Sequence, residues 1–293
     1  MFRALLTSLR PHQWVKNLFV VAPLLFSKNL GDVERMTLSA AGFVLFSLLS
    51  GTVYLVNDLF DIEKDRAHPL KKERPIPSGR LPINAARSAA AVLMVIALGI
   101  AFAINLPFFA CAAAYLLINL AYSLALKQVP FIDVFSIASG FLLRVYAGAM
   151  VINVHASPWL LLCTFALACF LGFGKRAHEL AAADDLGRAK EQRPVLARYR
   201  QIHLKVIMWI LAAGTCVAYG LYTISPHTKQ FFGTDSLLYT TPFAAFGVIR
   251  FLLLSARKTR DDSPTDAMLR DIPFMANLVA WAISVFLVIY VLR

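Results

Sequence analysis

Charge is scarce in this sequence. Asp, Glu, Lys and Arg make up 16% of its 293 residues, while 59% are apolar, against about 25% and about 45–50% in an ordinary soluble domain. That imbalance excludes a conventional water-soluble globule, and so much hydrophobicity excludes a disordered chain as well. Acids are scarcer than bases, 17 against 29, which leaves a formal net charge of +12. Such a surplus would suit nucleic acid only if it gathered in a soluble patch. Here Lys and Arg are concentrated in the connections between apolar stretches, the pattern of a membrane protein with basic cytoplasmic loops, so no nucleic-acid partner is expected. Cysteine is limited to Cys111, Cys163, Cys169 and Cys216. Each falls inside an apolar stretch and none has CxxC spacing, so neither a disulfide framework nor a zinc site is implied. A glycine-rich phosphate loop and a Ser-His-Asp arrangement are missing, and the histidines show no metal-ligand spacing. The first residues lack the apolar run and cleavage site of a secretory peptide, so the first apolar segment is expected to stay in the mature chain.

Long apolar runs, by contrast, are abundant. A membrane-crossing helix takes about 20 mainly apolar residues, a length met near 13–30, 36–57, 84–104, 107–126, 130–150, 157–176, 203–223, 236–256 and 273–292. The expectation is an all-α integral membrane protein with nine transmembrane helices in one domain over 1–293. Lys16, Asn17 and Pro23 make the first segment the weakest. With the N-terminus in the cytoplasm, the 58–83, 175–205 and 250–270 connections lie inside, and the other side keeps only Lys28, Arg35, Lys229 and Arg293. This asymmetry points to a multi-pass protein of the inner membrane.

Two of the inner connections carry dense charge. The second segment ends in Asn57-Asp58-Leu59-Phe60-Asp61-Ile62-Glu63-Lys64-Asp65. On a continuing helix Asp58, Asp61 and Asp65 sit at about 100°, 40° and 80° from Asn57, so all four share one face. Carboxylates crowded at the end of an apolar helix repel one another and lose hydration unless a cation sits among them. Hard oxygen ligands in so sparse a set suit Mg²⁺, which completes its octahedron with water and substrate phosphate. Asn57, Asp58, Asp61 and Asp65 are therefore candidate holders of a magnesium-bound diphosphate; the plainer alternative is a solvated acidic helix end. The stretch from Arg66 to Arg80 follows, where Pro69, Pro75 and Pro77 forbid a long helix. It reads as a stiff loop whose Lys71, Lys72 and Arg74 could neutralise polyphosphate oxygens.

The second charged connection opens with Gly174-Lys175-Arg176-Ala177-His178-Glu179. Upstream, Arg144 lies well inside an apolar span, where a cation calls for an anionic partner, and Asp133 stands near the start of that span. Tyr122 and Lys127 end the preceding one, about 140° apart on a helix. Gly140, Gly148, Gly172 and Gly174 either open a path for a lipid tail or let helices pack closely. The segment from Val195 to Gln201, with Leu196 and Tyr199 among cations, is expected to lie along the membrane surface.

These motifs resemble the UbiA superfamily of intramembrane prenyltransferases, whose members carry NDxxDxxxD on the second of nine helices. Asn57, Asp58, Asp61 and Asp65 match that motif at every specified position. The superfamily usually has a second acidic cluster after its sixth helix, where this chain carries Lys175, Arg176 and Glu179. Together with Arg-Pro-His-Gln-Trp-Val-Lys-Asn at 10–17, Gly-Phe-Leu-Leu-Arg ending at Arg144, and Ser263-Pro264-Thr265-Asp266 ahead of Asp271, the chain resembles the polyprenyl-phosphate phosphoribosyltransferase branch. That resemblance implies a UbiA-type helical bundle with a cytoplasmic-side active site, 5-phosphoribosyl-1-diphosphate (PRPP) as donor, a polyprenyl phosphate as acceptor and Mg²⁺ as cofactor.

It also implies roles for single residues. Asp58, Asp61 and Asp65 hold the metal, with Asn57 as a neutral oxygen ligand or hydrogen-bond partner. Lys175, Arg176 and Arg144 bind phosphate, and Lys71, Lys72 and Arg74 act as outer clamps. Lys16, Tyr122 and Lys127 are further substrate-binding candidates. Glu179 or Asp133 steadies the developing sugar cation or binds metal, and homo-oligomerisation stays open. Two other readings compete. One is a prenyltransferase moving an isoprenoid group from its diphosphate to an aromatic or glycerol-phosphate acceptor. The other is a transporter, against which the polar residues gather at the rim instead of the midplane.

Overall fold

A computed structural model of the chain describes residues 1–68, 71–184, 194–256 and 264–292, and every regular element among them is helical. Among the described residues eight segments are long and apolar enough to cross a membrane, one fewer than the nine expected. The shortfall lies in 13–30, which forms no continuous helix. Pro11–Val20 is wound as a 3₁₀ segment, followed by the short α2, Ala22–Phe26. Pro23 has no N–H to bond the carbonyl of Phe19, and its ring crowds that carbonyl, so the helical bonding is interrupted there and resumes with Pro23 in the first turn of α2. Asn17 is buried there and donates to Ser47 Oγ and Ser50 Oγ, each at 3.1 Å. The segment is thus tied to protein polar groups and does not stand alone in lipid.

The chain forms two compact units, Met1–Leu124 with Gly140–Ala156, and Ala125–Ser139 with Ser157–Arg293. In the first, α1 (Phe2–Leu9) leads through the 3₁₀ segment and α2 to α3 (Val33–Phe60), then α4 (Ile62–Ala67), α5 (Ile83–Ile104) and α6 (Leu106–Leu124), with the later part of α7 (Ile132–Val151). Asp32 caps α3 by accepting from the Arg35 N–H at 3.1 Å, and Glu34 in the first turn suits the positive end of the helix dipole. α3 is the most buried of the crossing helices. Its Leu45, Phe46 and Leu49 meet Val20, Phe108, Tyr115 and Val151 in one apolar core.

Gly148 on α7 shows how tight that core is, because a Cβ there would stand 1.9 Å from the Val20 carbonyl oxygen. Gly148→Ala is expected to destabilise the protein by about 1–3 kcal/mol, read from unfolding in detergent. Gly99→Ala, inside α5 with nothing within 4 Å of the new methyl, serves as the clash-free control and is expected not to destabilise.

The second unit holds the start of α7, then α8 (Pro158–Asp184), a 3₁₀ turn at Pro194–Arg198, α9 (Gln201–Ile224), α10 (Pro226–Phe232), a 3₁₀ turn at Ser236–Thr240, α11 (Thr241–Ser255), α12 (Pro264–Arg270) and α13 (Ile272–Tyr290). α8 packs along α9. A Cβ on Gly174 would lie 2.5 Å from the Phe251 ring, and one on Gly172 would lie 2.7 Å from Val134. These glycines, like Gly148, serve close packing. Asp271 caps α13 by accepting from the Phe274 N–H. It also takes both prongs of Arg250, at 2.9 and 2.7 Å, which ties α11 to α13.

Candidate active site

In the first unit the acids sit where α3 passes into α4. Asp61 takes a turn conformation between the two helices, yet its N–H bonds the Asn57 carbonyl at 3.0 Å and the Asp65 N–H bonds the Asp61 carbonyl at 2.8 Å. That spacing keeps α4 nearly in phase with α3, so Asp58 and Asp65, two turns apart, face the same way and are both buried. One atom joins them: Arg74 Nη1 lies 3.2 Å from Asp58 Oδ1 and 2.6 Å from Asp65 Oδ2. Arg74 is aimed by its loop. Ile76 and Leu81 are buried against Leu9, Leu55 and Ile62, and the Leu81 N–H closes the loop on the Pro75 carbonyl at 2.8 Å. Gly79 supplies the left-handed turn, at φ 79°.

A second arginine, absent from the candidates drawn from the sequence, completes the cluster. Arg10 links α1 to the 3₁₀ segment in a left-handed conformation, φ 51° and ψ 63°. Its Nη2 donates to Asp58 Oδ1 at 2.6 Å, and its guanidinium lies 4.7 Å above the Tyr54 ring. The crowded carboxylates therefore have counter-charges from the protein itself, so the cation expected among them is supplied here by Arg10 and Arg74. Among the described residues no three His, Cys, Asp or Glu side chains are grouped as metal ligands. The donor chemistry nonetheless fits Mg²⁺, because two hard carboxylate oxygens already converge on one cation position, held by Arg74.

The other candidates around this cluster fall as follows. Asn57 turns toward α6, its Oδ1 accepting from Ser123 Oγ. Asp61 is half-buried, Lys71 and Lys72 are exposed on the loop, and Lys16 and Tyr122 are half-buried. His68 Nδ1 accepts from the Lys71 N–H at 3.3 Å. Burial, followed by the Lys71 and Arg74 charges, lowers the His68 pKa below its ordinary value. Arg144 is buried within α7. It donates to Asn17 Oδ1 at 2.8 Å, the Gly140 carbonyl at 3.0 Å and the Tyr115 hydroxyl at 2.8 Å. Tyr115 and Phe141 lie 4.6 and 5.3 Å from its guanidinium carbon. The anionic partner expected for it is replaced by neutral acceptors and two ring faces.

In the second unit, Asp133 and Arg176 meet. Arg176 Nε donates to Asp133 Oδ2 at 2.6 Å, with 1% and 0% of the two side chains exposed, and Nη1 donates to the more open Glu179. The Tyr199 hydroxyl donates to Asp133 Oδ1 at 2.7 Å and accepts from the Phe131 N–H at 2.6 Å. Burial, and then this bond to a carboxylate, push the Tyr199 phenol above its ordinary pKa. Arg176 and Asp133, expected at phosphate and sugar, thus satisfy each other in the interior. The segment expected on the membrane surface is instead docked, with Val195, Leu196 and Tyr199 buried, because the phenol finds a buried acid to bond. Tyr199→Phe is expected to cost about 1.5–3 kcal/mol, the worth of a hydrogen bond to a charged group, measured by unfolding in detergent. Lys175 and Lys127 are half-buried. Ser263 of the Ser-Pro-Thr-Asp motif and Arg193 lie outside the described residues, while Pro264 and Thr265 begin α12.

Eight apolar crossing helices, with a buried acid–arginine cluster where one of them ends, define a multi-pass, all-helical membrane protein. The sequence profile of the UbiA prenyltransferase family matches residues 18–291, and the chain belongs to that enzyme family. It is 35% identical over 225 residues to the decaprenyl-phosphate phosphoribosyltransferase of Mycolicibacterium smegmatis, covering 75% of this chain and 70% of that relative. It is 30% identical to the decaprenyl-phosphate phosphoribosyltransferase of Corynebacterium glutamicum, covering 98% and 87%. In fold it matches a UbiA homolog from Archaeoglobus fulgidus bound to GPP and Mg²⁺, with a TM-score of 0.72, 19% identity, and coverage of 98% and 100%.

Proposed function

We propose that this enzyme transfers the 5-phosphoribosyl group from PRPP to a polyprenyl phosphate, releasing diphosphate in a magnesium-dependent reaction. The observation that carries it is the convergence of Asp58 and Asp65 on one cation position, in a chain whose long-overlap relatives bear that transferase name. In this reading 1–293 is one domain of the inner membrane, with its N-terminus and charged connections in the cytoplasm, as the basic bias of those connections favours.

Asp58 and Asp65, joined by Asp61, hold the metal, and Asn57 steadies the end of α3 through Ser123. Bound Mg²⁺ supplies Lewis-acid neutralisation of the charge that builds on the departing diphosphate. Arg74, Lys71 and Lys72 donate to its remaining oxygens, with Lys16, Tyr122 and Lys127 as outer substrate contacts. The lipid phosphate is already an anion, so no protein nucleophile is required. Its oxygen forms a bond to the anomeric carbon while the bond from that carbon to diphosphate breaks, and the electron pair leaves with diphosphate. In-line attack inverts the centre. Arg144, whose side-chain partners are neutral acceptors, is the candidate contact for the anionic lipid phosphate. Lys175 stays the candidate for a phosphate contact, and Glu179 the candidate for supporting the positive charge that develops on the sugar. Asp133 and Arg176 act indirectly, by fixing α8 and Tyr199.

A second reading, transfer from an isoprenoid diphosphate, is favoured by the fold neighbour that binds GPP. One experiment separates the two. Purified protein is given labelled PRPP or a labelled isoprenoid diphosphate, each with polyprenyl phosphate and with an aromatic or glycerol-phosphate acceptor. Magnesium-dependent movement of ribosyl label into the lipid phase is expected; consumption of the isoprenoid diphosphate alone would establish the second reading.

A further inference from the structure

The acids and arginines of the first unit are layered. The Asp58 and Asp65 side chains are 3% and 4% exposed, whereas those of Arg10 and Arg74, bonded to them, are 24% and 31% exposed. The cations form the solvent-facing cover and the carboxylates lie beneath it. Arg10 and Arg74 come from separate parts of the chain, one before the 3₁₀ segment and the other from the loop after α4, yet both donate to the same oxygen, Asp58 Oδ1. Arg10 is held there at a backbone conformation that costs a non-glycine residue energy, with the Tyr54 face beneath its guanidinium. Nothing in the proposed reaction gives Arg10 a task, although its bond to Asp58 is as short as any in the cluster.

We infer that Arg10, with Arg74, is an internal counter-ion that keeps divalent metal out of the acidic pair until a diphosphate arrives. A metal ion approaching alone must displace two guanidinium groups from Asp58 Oδ1 and then stand beside both positive charges. A diphosphate changes the sign of that exchange. It brings the metal's remaining ligands and offers each guanidinium anionic oxygens in place of the single carboxylate oxygens, Asp58 Oδ1 for Arg10 and Asp58 Oδ1 with Asp65 Oδ2 for Arg74, that it gives up. Arg10 thereby passes from Asp58 to the donor, and metal and diphosphate each raise the affinity of the other. This rests on the proposed function, because it takes the acidic pair as the metal site. It adds an order of loading and makes Arg10 a residue that touches substrate.

The test is Mn²⁺ binding to the full-length protein in detergent, measured as protein-retained Mn²⁺ by equilibrium dialysis with and without pyrophosphate, against a protein-free Mn²⁺–pyrophosphate control. The wild type is expected to bind Mn²⁺ weakly alone and at least tenfold more tightly with pyrophosphate. Arg10→Gln is expected to tighten Mn²⁺ binding without pyrophosphate by on the order of tenfold, the equivalent of one charge-assisted bond, and to shrink the pyrophosphate effect. Arg10→Lys, which keeps the charge but not the guanidinium fork, should leave Mn²⁺ binding without pyrophosphate within about threefold of the wild type while shrinking the pyrophosphate effect. Arg74→Gln repeats the test on the second cation if Arg10→Gln does not stay monodisperse. Unchanged or weaker Mn²⁺ binding in the Gln variant, or tight Mn²⁺ binding by the wild type alone, overturns the inference and leaves the metal site standing. Failure of the wild type to bind Mn²⁺ even with pyrophosphate removes the metal site itself, and the inference with it.

Discussion

Asp58→Asn is expected to reduce turnover by at least two to three orders of magnitude, roughly the loss seen when one preorganised electrostatic contact to a transition state is deleted, while the protein remains folded. The substitution preserves shape and removes the charge that shares one cation with Asp65. Neutralising the leaving group is most of the catalysis that the proposed reaction needs, so the loss should appear in kcat and not only in donor affinity. The folded state should tolerate the change, because Arg10 and Arg74 are partly solvated and Arg74 keeps Asp65. Asp65→Asn should behave alike. Initial rates across a magnesium series check the point, and near-normal turnover at low magnesium would show that the metal is held elsewhere.

Arg176→Met carries the largest expected effect on stability, a loss of about 3–5 kcal/mol. Neither Arg176 nor Asp133 meets solvent, so deleting the cation strands a carboxylate that only the Tyr199 hydroxyl and its surroundings can support. Removing both charges tells a different story. Arg176→Met with Asp133→Leu should recover much of the loss, since the cost lies in an unpaired buried charge and not in the absence of the pair. Equilibrium unfolding of both single variants and the double variant closes the cycle. A loss under about 1 kcal/mol for Arg176→Met would mean that the pair does not hold α8 in place.

What could be read from the sequence, and what could not, follows from the range of the physics involved. Eight crossing helices were legible because a run of about 20 apolar residues is a local property. The first segment failed on an equally local one: Pro23 and the buried Asn17 turned an apolar stretch into a 3₁₀ strap. The shared face of Asp58 and Asp65 follows from helical period alone, and the near-continuous hydrogen bonding across Asp61 preserved it. Arg74 was within reach because it lies in the loop that follows.

Arg10 is 48 residues from Asp58, and no periodicity joins them. The available hints were the motif at 10–17 that Arg10 opens and charge balance, since three acids crowded on one helix face require cations from somewhere. Arg176 and Asp133 were each noticed as charges beside apolar spans, but their separation of 43 residues hid the fact that each answers the other. Tyr199 misled for a related reason. An amphipathic pattern describes which side of a segment is apolar, and the docking of that segment was decided by a single buried acid far away in sequence.

The account turns on what leaves the enzyme attached to the lipid. Purified protein incubated with PRPP, Mg²⁺ and a mixed pool of polyprenyl phosphates, with its lipids then analysed by mass spectrometry, is expected to yield polyprenyl phosphates heavier by one phosphoribosyl group, formed only when both donor and metal are present. Lipids left unchanged under those conditions, or an isoprenoid-extended product in their place, would contradict it.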